Sequence, residues 1–183
     1  MTKLQRLLKI AAMTAILCIS VYLVPPILVF GSVPFTIQTL VIFMIAFMLH
    51  KEDACLTLML YLLLGTIGLP VFSGGQSGLS AILGPTGGFL ILFPVVAYLI
   101  ASFKSKNKGF FHDMILSFLI GIVLLYALSA IWLSYVLSIS YIQGLLILLP
   151  FVPLDIMKIV VAHTVYKKMP SLYELSTHEG NPQ

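Results

Sequence analysis

Asp155 and Lys158 stand three residues apart in the stretch PLDIMKIVVAHTVYKK, Pro153 to Lys168, an acid and a base inside an otherwise apolar segment. On a helix that spacing puts both on one face, and together they offer a polar ligand an acceptor and a donor. A charge at bilayer depth costs ~2.5–3.5 kcal/mol on insertion scales and more on others, so something must offset it. One possibility is a structural ion pair that fixes helix packing; the other is a binding site facing an internal cavity. Pro150 and Pro153 favour the second, because proline breaks a helix interior and suits a first turn. A helix restarting near Pro153 carries Asp155 in its first turn, where the positive end of the helix dipole favours a carboxylate. Broken helices at membrane depth often mark binding sites.

Other reactive combinations fail on chemistry or placement. GQSG, Gly75 to Gly78, fits a G-x-S-G nucleophile pattern, and His163 would be its base, in the manner of a rhomboid-type intramembrane protease. A nucleophile and its base must come within ~3 Å, yet Ser77 belongs to an outer connection and His163 lies four residues from Lys167, so most of the membrane separates them. The glycine-rich run GGQSGLSAILGPTGG, Gly74 to Gly88, lacks the Lys-Ser/Thr pair and the preceding strand of a phosphate-binding loop. His50, His112 and His178 do not have metal-site spacing. His163 is expected near the headgroups at a helix end. Cys18 and Cys55 lie in or beside apolar segments and imply no disulfide.

The elements that must position the pair follow from composition. Hydrophobic residues make up 60% of the 183 and charged residues only 9%, against roughly 25% charged in a soluble domain. This predicts an all-α integral membrane protein forming a single transmembrane domain over residues 1–183. A span needs roughly 20 apolar residues. Uncharged runs from Ile10, from Ala54 to Phe103 and from Met114 to Leu154, divided at turn-forming stretches, give six helices at roughly 7–30, 35–49, 54–69, 86–103, 114–136 and 144–166. The N-terminus shows no convincing cleavage site, so the first helix is expected to be retained.

Nine of the ten Lys and Arg residues fall on one side of this map: Lys3, Arg6, Lys9, Lys51, Lys104, Lys106, Lys108, Lys167 and Lys168. The opposite connections carry no charge. The positive-inside bias then places both termini in the cytoplasm, in a multi-pass protein of the cell membrane. Glu52, Asp53, Asp113, Glu174 and Glu179 share that side, which leaves Asp155 and Lys158 as the charges set into the membrane. Counting back from Lys167 at ~1.5 Å per residue, they lie ~18 Å and ~13 Å above the cytoplasmic boundary. Ala11 and Ala15, small residues at four-residue spacing in AAMTA, allow close approach of another helix.

Four motifs in order, VPFTIQTL (Val33 to Leu40), YLLLGTIGLPVFSGG (Tyr61 to Gly75), LGPTGGF (Leu83 to Phe89) and PLDIMK (Pro153 to Lys158), resemble the BioY family, the biotin-binding S components of energy-coupling factor (ECF) transporters. The likeness runs from the first helix to the last. It implies a transport subunit and no enzyme, with an S-component-like bundle that captures biotin from outside. Its partners would be a transmembrane coupling protein and two cytoplasmic ATPases, in a lipid bilayer, with no cofactor, metal or nucleic acid. The family's last-helix acid and base match Asp155 and Lys158, expected to hydrogen-bond the polar head of biotin.

The resemblance also makes the first outer loop and the third-to-fourth connection a lid, with Gln38, Gln76, Ser77 and Thr86 as polar contacts. Some relatives carry an Asn or Arg there, and SGGQSG and GPTGG contain neither. The S-component motif that docks on the coupling protein matches Ala11 and Ala15. An S component for another vitamin and an intramembrane hydrolase are the alternatives.

Overall fold

A computed structural model of the chain describes residues 3–23, 27–30, 33–105 and 109–168. Its helices are α1 (Lys3–Leu23), α2 (Gln38–Met48), α3 (Lys51–Thr66), a short α4 (Gly78–Leu83), α5 (Gly87–Phe103), α6 (Phe110–Leu137) and α7 (Tyr141–Lys168). Six helices and the shorter α4 thus make the expected helical bundle. A small hairpin is added, β1 (Ile27–Phe30) paired antiparallel with β2 (Val33–Phe35).

The end of the first helix differs from expectation. The first helix stops at Leu23 and Ile27–Phe30 are extended, where the sequence-based span ran to Phe30. Pro25 and Pro26 follow that end, and proline contributes no N–H to a helix. The second helix spans only Gln38–Met48, ~16 Å at 1.5 Å per residue, short of the ~30 Å of hydrocarbon. By length and composition α1, α6 and α7 are able to cross a membrane, while α2 and α5 are shorter.

Long-range contacts define the two ends of the bundle. At one end Arg6 of α1 pairs with Asp53 of α3 at 2.6 Å, Lys51 lies over the Tyr98 ring of α5, and Lys104 donates to the carbonyls of Ala46, Phe47 and Leu49 at the end of α2. Asp113 at the start of α6 meets His163 near the end of α7 at the same level. At the other end Tyr22 donates to the Pro70 carbonyl, and Trp132 of α6 donates to the Gly84 carbonyl at 2.9 Å. Among the described residues Arg6, Lys51 and Lys104 therefore share an end with α1's start and α7's finish.

Helix α2 is apolar all round and serves as the central core element. Val41, Ile42, Phe43, Ile45, Ala46 and Phe47 are all buried, packed with Leu58, Ile100, Ile122 and Ala162 from its neighbours. Large apolar side chains such as Ile16, Ile19, Val123, Ile131 and Val160 instead cover the outside, as a lipid-facing surface requires.

Candidate functional site: a cavity at the head of α2

The shortness of α2 makes the site. Because the helix begins at Gln38, the space above its first turn is left to a cavity bounded by α5, α6, α7 and the α3–α4 connection. It holds ≈ 550 Å³ not filled by protein atoms, its open mouth included.

Asp155 and Lys158 line this cavity together. A 3-10 turn at Leu149–Phe151 interrupts α7 just before them, and the α-helical part resumes at Val152 with Asp155 in its first turn. The break arises from Pro150 and Pro153, as expected. Asp155 is 4% exposed and lies 2.7 Å from the Lys158 ammonium. Asp155 Oδ1 also accepts from Thr39 Oγ1 at 3.0 Å, and Oδ2 accepts from Tyr126 OH at 2.5 Å. Lys158 Nζ donates further to the Thr36 carbonyl at 2.7 Å and to Thr39 Oγ1 at 2.9 Å. Thr39 is thus a two-way link, accepting from the cation and donating to the anion. Hydrogen bonds to charged groups contribute ~1.5–3 kcal/mol each, which explains how the pair is retained in an apolar bundle.

Of the other candidates, Gln38 and Thr86 line the same cavity. Gln38 is 3% exposed and its Nε2 donates to Tyr61 OH, which in turn donates to the Val71 carbonyl at 3.0 Å. Its amide nitrogen is therefore committed to fastening the α3–α4 connection. Thr86 is the N-cap residue of α5 without a side-chain cap bond. Gln76 is exposed and Ser77 precedes α4, and neither is among the cavity-lining residues. Ala11 and Ala15 are exposed on the outer surface of α1.

Thr36, Thr39, Ser73 and Tyr126 were not singled out from sequence. Nothing in the sequence sets Tyr126 apart, because Ser117, Ser129, Ser134 and Tyr135 share its uncharged run, and Thr39 is marked only by following Thr36 by three residues. The apolar wall is formed by Phe89, Phe93, Leu148 and Phe151, with the Phe89 ring edge-on to Tyr126 at 5.8 Å.

His163 lies near the end of α7, at the level of the basic residues, and is enclosed there by protein: it is 1% exposed, bonded through Nε2 to Asp113 Oδ2 at 3.2 Å and boxed by Phe47, Phe110 and Tyr166. Asp113 is fully buried and also accepts from Ser105 N at 2.6 Å. Lys104, outside the helices, has its pKa pushed down to about 8 by burial, partly opposed by Asp113. This cluster lies at the basic end, opposite to Ser77, and among the described residues no group of His, Cys, Asp and Glu is arranged for a metal.

Comparison with known proteins places this architecture. The structure is similar to the crystal structure of the S-component for biotin from an ECF-type ABC transporter, with a TM-score of 0.86 and 29% sequence identity over 94% of this chain and 97% of that one. The sequence is 37% identical over 164 residues to biotin transporter BioY2 of Lactococcus lactis subsp. cremoris, covering 87% of each chain. It is 31% identical over 176 residues to biotin transporter BioY of Thermotoga maritima, covering 92% of this chain and 98% of the relative. The BioY family model matches residues 1–174, and the chain belongs to the BioY family.

Proposed function

We propose that the chain is the membrane-embedded biotin-binding subunit of an ECF-type importer. The observation that carries this is the Asp155–Lys158 pair, buried yet set in the wall of an otherwise mainly apolar cavity at the end of the bundle away from the basic residues. A cyclic urea presents N–H donors and a carbonyl; Asp155 Oδ2 takes an N–H, and Lys158 lends positive charge beside the carbonyl. The sulfur ring and aliphatic chain pack on Phe89, Phe93, Leu148 and Phe151, as apolar ligand bodies do in such cavities. Gln38 and Thr86 complete the contact set, with Gln76 and Ser77 outside it.

The basic end faces the cytoplasm by the positive-inside bias, so the cavity faces outward in the cell membrane and both termini lie inside. Import needs a transmembrane coupling protein and two ATPases, since the chain has no phosphate-binding loop and performs no chemistry itself. No cofactor is required. Ala11 and Ala15, exposed beside Leu8 and Ile19 on α1, allow the close helix approach such docking uses.

A thermal-shift panel of biotin, thiamine, riboflavin and folate on the detergent-purified chain tests this. Stabilisation by biotin alone is expected; stabilisation by another vitamin in its place overturns the assignment.

A further inference from the structure

The two charges of the site are already occupied by protein partners. The three N–H groups of Lys158 are matched by Asp155 Oδ1, the Thr36 carbonyl and Thr39 Oγ1. Asp155 Oδ1 accepts from both Thr39 and Lys158, which leaves room chiefly at Oδ2, where Tyr126 is the one donor among the described residues. A ligand with polar groups at both ends finds one end provided for here and needs a donor elsewhere in the cavity.

Such a donor is present and orphaned. Among the described residues the hydroxyls of Ser73, Ser117 and Ser129 are buried without a hydrogen-bond partner, and of these only Ser73 lines the cavity. A buried hydroxyl without a partner destabilises the fold, and native structures hold few of them.

Ser73 is held there by its neighbours. The Phe72 ring fills a notch at Gly65, where a Cβ would come within 2.1 Å of the ring. Tyr61 OH donates to the Val71 carbonyl, Phe72 N donates to the Gln76 carbonyl at 3.0 Å, and Gly74 takes φ 75° to close the turn.

We infer that the Ser73 hydroxyl is the donor for the acid end of the ligand, the carboxylate at the tip of the aliphatic chain, and so separates the acid from its neutral analogues. This rests on the biotin assignment above. Lys158, among the described residues the only cation lining the cavity, is matched by Asp155, Thr36 and Thr39, so the carboxylate is met by a hydroxyl.

The test is Ser73→Ala, titrated with biotin and with biotinol, in which the carboxylate is reduced to a primary alcohol. Loss of a charge-assisted hydrogen bond predicts roughly tenfold or greater weakening for biotin and less than about threefold for biotinol. Ser73→Thr, which keeps the hydroxyl, should recover most of the biotin affinity. The melting temperature of ligand-free Ser73→Ala should equal or exceed that of wild type, because an unpaired polar group has been removed; a structural hydroxyl would lower it. Equal weakening for both ligands, unchanged biotin affinity, or a destabilised ligand-free variant overturns the inference. If wild type binds neither ligand, the biotin assignment fails instead.

Discussion

Replacing Lys158 by Met strands a carboxylate. Asp155 is 4% exposed and keeps its bonds from Thr39 and Tyr126, but both exist already in the wild type and add nothing new. Breaking one side of a buried ion pair costs ~3–5 kcal/mol, and the two surviving hydroxyl donors place the expected loss at the lower end, about 3 kcal/mol. For a chain of this size that corresponds to a fall in melting temperature of roughly 6–12 °C. Biotin affinity should fall at least tenfold, because the charge that orients Asp155 is gone. The double variant Asp155→Asn with Lys158→Met removes the stranded charge, so it should melt closer to wild type than the single variant while still failing to bind. The assay is thermal unfolding of the detergent-purified proteins with and without biotin. If Lys158→Met melts within about 1 °C of wild type and still binds biotin, the pair is neither buried nor used as argued.

Further outcomes follow from single features. Gly65→Ala pushes a Cβ to within 2.1 Å of the Phe72 ring; overpacking of this kind costs ~1–3 kcal/mol, and biotin binding should weaken as the Ser73 turn shifts, measured by titration. Trp or Leu at Ala11 and Ala15 should abolish co-purification with the coupling protein and leave biotin binding intact; loss of binding would mean that these residues serve packing within the bundle. Lys104 has a folded pKa of about 8 against an ordinary 10.5, so between those values the unfolded chain holds the extra proton and stability rises with pH. Compared with Lys104→Met, wild type should gain stability from pH 8 to 10.5, and parallel melting curves would contradict this.

Much of the site was legible because opposite charges three apart in an oily run have few uses, and two prolines announced the break before Asp155. The shared end of the basic residues was legible for the same reason: loops carry charge and spans do not. What escaped depended on tertiary partners. Thr39 and Tyr126 are ordinary residues of apolar helices until α2 and α6 bring them to Asp155. Asp113 and His163 look like loop-proximal residues by chain position; only the fold, with Ser105 and the rings of Phe47 and Phe110, encloses them. Gln76 and Ser77 were the conspicuous polar residues of the glycine-rich connection, yet the anchoring of Phe72 at Gly65 turns Ser73 to the cavity and leaves Gln76 exposed. The early end of α1 was visible in Pro25 and Pro26, and the shortness of α2, which makes the cavity, was largely legible in a span set between Pro34 and His50, which the structure trims to Gln38–Met48.

The most direct measurement is isothermal titration of biotin into the purified wild-type chain, repeated with Asp155→Asn. Tight one-to-one binding in wild type, weakened at least tenfold in the variant, is the predicted result. No heat in wild type and no competition by biotin analogues, or equal affinity in the two proteins, would contradict the account of the cavity at the head of α2.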